Sequence, residues 1–216
     1  MQAKSSRLWE DTVNLMPHLR QKWQLSNQNE RKKSMIIVES HRKKPETLRK
    51  AYPDALILDV TSHATGALRK LSPFYPHMGI PVPFTPSMTA ASVEGIWQGL
   101  KTFEKADIDL DVMRNTTMKD LKRTVRRFGA PKGHRKGVHG TELLGYLAAR
   151  WEIYLPTYKW VLENKCLDLV ELLRRESEKR TVVLLDYETN GDVNDPRKPL
   201  SHAQLVKMYC EGNYPI

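Results

Sequence analysis

Glu94, Gln98 and Lys101 stand at i, i+4 and i+7 in SVEGIWQGLK, so a helix there would carry a carboxylate, an amide and an ammonium group on one face. Held in a cleft, that carboxylate stays ionised beside the ammonium and can stabilise positive charge developing on a reacting sugar. The same spacing also suits the solvated stripe of an amphipathic helix, with Val93, Ile96, Leu100 and Phe103 buried behind it and Trp97 between the faces. A second set, Asp186, Asp192 and Asp195 in DYETNGDVND, follows an apolar run, where α/β sheets commonly place ligand-binding groups. These carboxylates would act as acids or bases, or else simply shape an Asp/Asn/Gly turn. Third, GAPKGHRKGVHG (129–140) offers glycine amides and Arg135 to a phosphate.

The signatures of several other chemistries are missing: no P-loop, no GxGxxG after a strand, no HExxH, no paired CxxC and no GxSxG. The His residues form no i, i+4 pair, so no metal site is expected, and the proposed chemistry needs no cofactor. Cys166 and Cys210 fit two reduced, buried thiols in a cytoplasmic protein.

The elements that would position these groups are legible as patterns. Apolar runs give strands near 35–39, 55–60 and 181–186, and KPETLRKAY between the first two reads as a helix, which suggests a small parallel unit. Residues 71–88 hold five prolines in 18 residues, which excludes helix and central strand; Phe74, Tyr75, Ile80, Val82 and Phe84 anchor an ordered loop of the kind that lines sites. Helices are expected over 89–106, 117–128, 142–163 with a break at Pro156, 167–179 and 201–212. On the 117–128 helix, Lys119, Lys122, Arg123 and Arg126 would crowd one side while Leu121, Val125 and Phe128 face the core. The expected fold class is α+β: a mainly helical single domain over 34–216 with a small sheet, preceded by a helical extension over 1–33.

The order LSPFYPHMGIPV, SVEGIWQGLKTF, GHRKG, a helix with Arg150 before YLPTYKWVLENK, then VVLLDYETNGD resembles the NADAR family over residues 71–195. Those proteins are N-glycosidases of the riboflavin-intermediate type, and some relatives remove ADP-ribose from guanine in nucleic acid. The resemblance implies that Ser72, Phe74, Tyr75 and Pro76 form the family's loop, with Pro73 where Asn is usual. Glu94, Gln98 and Lys101 match its helix motif. Gly133-His134 stand where Gly-Arg is usual, with Arg135 one place late, and Arg150 matches the later arginine. The Trp-Gly after the acidic turn is missing, and Tyr154 stands near the family's Met. By this resemblance Glu94 is the catalytic carboxylate and Asp192 or Asp186 the second acid/base. Lys101 and Arg150 orient a phosphate, Phe74 and Tyr75 stack on the base, and Gln98, His134 and Arg135 also bind the substrate.

Composition frames the choice of partner. With 35 Lys plus Arg against 25 Asp plus Glu the formal charge is +10, a field that attracts polyanions and phosphorylated ligands. Residues 114–136 hold nine basic side chains and only Asp120 as an acid. The expected partner is a phosphorylated nucleoside or ADP-ribosyl substrate, with nucleic acid also possible; the competing class is a non-catalytic nucleic-acid-binding or inhibitor protein. No apolar run is long enough to span a membrane. Nothing in the sequence specifies an oligomeric state.

Overall fold

Contiguous apolar residues build the central sheet. The computed structural model describes residues 35–216, and the expected extension over 1–33 lies outside the described residues. Strand β1 (Ile36–Ser40) leads through helix α1 (Pro45–Ala51), with Pro45 in its first turn, to β2 (Leu56–Asp59). These two strands do not pair with each other. The late strand β8 (Val182–Asp186) lies between them and runs parallel to both, with Ile36 and Leu56 each opposite Val182. A central parallel strand is covered on both faces, and accordingly Val182, Val183 and Leu184 are fully buried.

From β2 the chain passes through a 3₁₀ turn (Gly66–Leu71) into the proline-rich loop, which is pinned by a two-residue pairing of β3 (Ile80–Pro81) with β4 (Thr89–Ala90). Helix α2 is shorter than the sequence suggests. It spans Val93–Leu100, capped by the Ser92 hydroxyl accepting from the Gly95 N–H, and then becomes strand β5 (Lys101–Phe103). Gly95 and Gly99 explain the tight packing, since they let α2 sit against α3 (Leu110–Arg114), where a Cβ on Gly99 would lie 2.4 Å from the Met113 side chain.

The expected basic helix over 117–128 is reduced to α4 (Val125–Phe128), because residues 117–119 are held by local side-chain turns at Asn115 and Thr117 and the Arg123 N–H donates to Gln98 Oε1. Leu121 is buried as expected, but Val125 is 57% exposed. Residues 131–135, expected as a phosphate-binding loop, form β6 (Pro131–Arg135), which pairs with β5 and with β7 (Leu143–Leu144).

Helix α5 (Tyr146–Ala149) widens into a π-helical turn (Arg150–Tyr154) and continues as α6 (Leu155–Asn164). No break occurs at Pro156. Proline cannot donate to the carbonyl four residues back, and the Leu155 N–H reaches Arg150 O instead, so the wider turn absorbs the missing bond. Helix α7 (Leu167–Lys179) precedes β8, and α8 (His202–Cys210) closes the fold against the sheet. The described residues form an α+β domain. Among them no helix is long and apolar enough to cross a membrane.

Candidate functional site

A cavity of about 600 Å³ opens at the carboxyl ends of the three parallel strands, where Arg42, Thr61 and Asp186 follow or end β1, β2 and β8. Its opposite wall is α2 with Glu94, Trp97, Gln98 and Lys101. The proline-rich loop contributes Ser72 and Phe74, and the π turn with its preceding helix adds Tyr146, Arg150 and Tyr154. The loop is latched to α2 because Pro73 O accepts the Glu94 N–H at 2.9 Å, one of the donors a helix start leaves without an internal partner.

Glu94 and Gln98 are each only 8% exposed, so α2 does not present a solvated stripe. Gln98 is oriented from behind: its Oε1 accepts the Arg123 N–H at 3.1 Å, so its Nε2 donates to Glu94 Oε1 at 2.9 Å. Glu94 Oε2 has no hydrogen-bond partner among the described residues. Burial raises the Glu94 pKa, opposed by the Gln98 bond and by Lys122 and Lys101. Burial likewise lowers the pKa of Lys101. The result is a carboxyl group poised nearer to neutrality than a solvated one, beside two cations.

The aromatic residues form a platform. Trp97 meets Tyr146 and Tyr154 edge-on at 5.8 and 5.6 Å between centroids, and Lys122 lies 5.6 Å over the Phe74 ring. His134 is buried behind Trp97, with ring centroids 3.8 Å apart, and does not line the cavity. Burial pushes its pKa down to about 3, so it is a neutral backing for the indole and no anion ligand.

Other expected ligands are also placed elsewhere. Arg135 is ion-paired to Asp107, away from the cavity wall. Tyr75 turns toward His77, at 4.8 Å, leaving Phe74 as the loop's aromatic in the cavity. Asp192 is exposed outside the cavity, and its carboxylate accepts from the Asn194 N–H within its own turn. Arg150 is on the wall, but its terminal nitrogens donate to the carbonyls of Val193, Asp195 and Lys198 and to the Tyr146 hydroxyl. Its first task is therefore to pin the loop after β8. Arg123, from the basic cluster, is buried and donates to Gln98 O, Lys101 O and Asp107 O, which satisfies the open end of α2.

Asp186 sits on the wall and is fully engaged. Its carboxylate accepts from the Ser201 hydroxyl at 2.7 Å and the Ala203 N–H at 3.3 Å, and lies 3.0 Å from His202 Nδ1. Burial alone would raise the Asp186 pKa, but the charge of His202 and these bonds hold it below the usual value. His202 Nε2 lies 2.8 Å from Val60 O. Both ring nitrogens thus face oxygen acceptors, which only the doubly protonated ring satisfies. Burial opposes that charge, yet Asp186 raises the His202 pKa. This imidazolium–carboxylate pair ties the ends of β2 and β8 to the start of α8.

His202, Arg42 and Tyr187 were not legible as site residues in the sequence. Lone residues after strands or at a helix start carry no spacing signal, though Ser201 as a cap ahead of His202 marks the junction. Trp97, Tyr146 and Tyr154 share a helix face with residues that were legible, and chain periodicity alone also allows them in the core.

No curated protein matches the chain. A model of a family described as being of unknown function, DUF6939, matches residues 40–206.

Proposed function

The chain belongs to the DUF6939 family, and for it we propose an N-glycosidase that hydrolyses the C1′–N bond of a phosphorylated nucleoside, nucleotide or ADP-ribosyl substrate, in the manner of the NADAR proteins it resembles. The observation that carries this reading is Glu94: a buried carboxyl with one oxygen fixed by Gln98, on a cavity that also presents aromatic rings and the cations Lys101 and Lys122. Cleavage passes through a ribose that resembles an oxocarbenium ion, which a nearby carboxylate stabilises. In this reading the base stacks against Trp97 and Phe74, and Lys101 and Lys122 hold the phosphate. The C1′–N electron pair leaves with the base while water bonds to C1′. Glu94 takes the water's proton and passes it to the departed base nitrogen. Asp186, ion-paired with His202, contributes a fixed carboxylate to the wall with its charge balanced. Arg150 shapes the loop that closes it.

The test is direct: incubate the protein with nucleotides, nucleosides and ADP-ribosylated DNA and RNA, and look for released base or ribose by chromatography. Release that disappears in Glu94→Gln supports the reading. Release at the wild-type rate from Glu94→Gln removes Glu94 from the chemistry.

One observation favours the second reading, a non-catalytic nucleic-acid-binding or inhibitor protein. Lys119, Lys122, Arg126 and Arg127 are exposed, and Lys122 also lines the cavity. Tight binding of an oligonucleotide that is indifferent to Glu94→Gln, with no release from any substrate, would select it.

A further inference from the structure

Tyr154, Tyr158 and Tyr214 gather at the π turn, and two of the three end on a carbonyl. The Tyr158 hydroxyl donates to Leu71 O at 2.5 Å, and the Tyr214 hydroxyl donates to Leu155 O at 3.0 Å. Buried phenols usually find such a partner, because a bond left unmade away from water is costly. Tyr154 differs. Its side chain lines the cavity, and its hydroxyl forms no hydrogen bond among the described residues. Tyr146, also on the wall, already accepts from Arg150.

The ring is held from two sides. Trp97 meets it edge-on at 5.6 Å, and Tyr158 stacks on it at 6.3 Å with 12° between the planes. The next residue, Leu155, is fixed by its own N–H on Arg150 O and by Tyr214 at its carbonyl. The phenol is thus a preorganised donor whose acceptor must come from the cavity. It does not serve as a base. Burial, and then the charge of Glu94, raise its pKa well above that of a solvated phenol, so it keeps its proton at neutral pH. That influence also marks the hydroxyl as a neighbour of Glu94, yet the two groups do not bond to each other. An unpartnered donor and the unpartnered Glu94 Oε2 therefore share one cavity.

We propose that Tyr154 is a further catalytic residue: while Glu94 faces the attacking water, the Tyr154 hydroxyl donates a hydrogen bond to the base as the C1′–N bond breaks. The electron pair of that bond leaves on the base, and the donor meets the negative charge it brings. The phenol keeps its own proton throughout. The base must therefore present an acceptor to it, a ring nitrogen or a carbonyl oxygen. This rests on the glycosidase reading, and it adds the leaving-group contact that Glu94, occupied with the water, does not make.

Tyr154→Phe removes only the hydroxyl and keeps the ring between Trp97 and Tyr158. It should melt no lower than wild type, since that hydroxyl bonds to nothing in the protein. Base release is then compared on matched probes: the 5′-monophosphates of guanosine and inosine, each against its N7-methylated form. A methylated purine is cationic and departs as a neutral base, so it needs no donor. Tyr154→Phe should lower kcat on the unmethylated probes by about ten- to a hundredfold, the size of a hydrogen bond to a charged group. On the methylated probes the loss should be less than about threefold. An equal or larger loss on the methylated member overturns the proposal, because a displaced wall would not spare it. So does an unchanged rate on both members, or a variant that melts well below wild type. A wild-type protein inert on all four probes removes the glycosidase reading from purine nucleotides, and this proposal with it.

Discussion

Glu94 is stabilised as an acid by the fold, and that has a measurable signature. Its pKa is raised on folding, so the native state holds the proton more tightly than the unfolded chain. Its stabilising contribution is present at low pH and is lost as pH rises through the folded value. Glu94→Gln keeps the Gln98 bond and removes the cost of burying a charge. We expect the variant to have a higher Tm than wild type at pH 8, with the difference shrinking toward pH 4.5, where about 2–4 °C corresponds to each kcal/mol for a chain of this size. Base release by the same variant should fall on the order of 10²-fold or more. A variant that melts lower at pH 8 would contradict the burial argument. His202 has the same sign for a base: its raised pKa gives stability that is complete below the unfolded value near 6.5 and is lost as pH rises through the folded one. Asp186 has the opposite sign, its contribution lost as pH falls through its depressed pKa. Thermal melts of wild type should therefore decline as pH rises above 6.5 and through the folded value of His202, and His202→Gln should flatten that limb. Because it strands a buried carboxylate, it should also cost about 3–5 kcal/mol at pH 6.5.

The elements that position these groups depend on close approach and on saturated helix ends. Gly99→Ala would push a methyl group into Met113 and Asp109 O, and should destabilise by about 1–3 kcal/mol in denaturant melts, while Gly145→Ala, with no atom within 4 Å of the new Cβ, should not. Arg123→Ala should cost more than Arg126→Ala, because only Arg123 is buried on three carbonyls at the end of α2. These elements were unequally legible in the sequence. The three sheet strands were readable because each holds four consecutive apolar residues, MIIV, ALIL and VVLL. The pairings at Ile80–Pro81 and Leu143–Leu144 are too short to leave a period, and β6, rich in Gly and basic residues, resembles a loop in every local respect. Helix α2 looked four turns long because Phe103 continues the apolar spacing of Val93, Ile96 and Leu100. It is tertiary pairing of Lys101 with His134 that converts the end to strand. The Glu94–Gln98 pair was legible from spacing alone. Whether that face was wet or buried was not, because burial depends on a loop and a sheet remote in the chain.

For the molecule as a whole, the +10 charge is less concentrated at the cavity than the sequence suggests. Arg123 is internal and Arg135 is paired, which leaves Arg114, Lys119, Lys122, Arg126, Arg127 and Lys132 as the exposed part of the 114–136 run. An oligonucleotide engaging Lys119, Lys122, Arg126 and Arg127 would show a log–log salt slope of about −3 to −4, whereas a nucleotide held by Lys101 and Lys122 carries no condensed counterion atmosphere and would show a much shallower one. We expect the shallower slope, measured between about 50 and 200 mM salt. The placement of β8 between β1 and β2 also sets a timetable. Among the described residues neither early strand has a lateral partner until Val182 to Asp186 arrives, so during synthesis the first two strands wait through most of the chain. Pairings of such long sequence separation close late and slowly. The cavity floor consists of the carboxyl ends of those same strands, so no partly made chain can hold ligand there. In refolding, ligand capture should therefore recover with the rate constant of the sheet itself, and a nascent chain ending before residue 182 should be inert and exposed to chaperones.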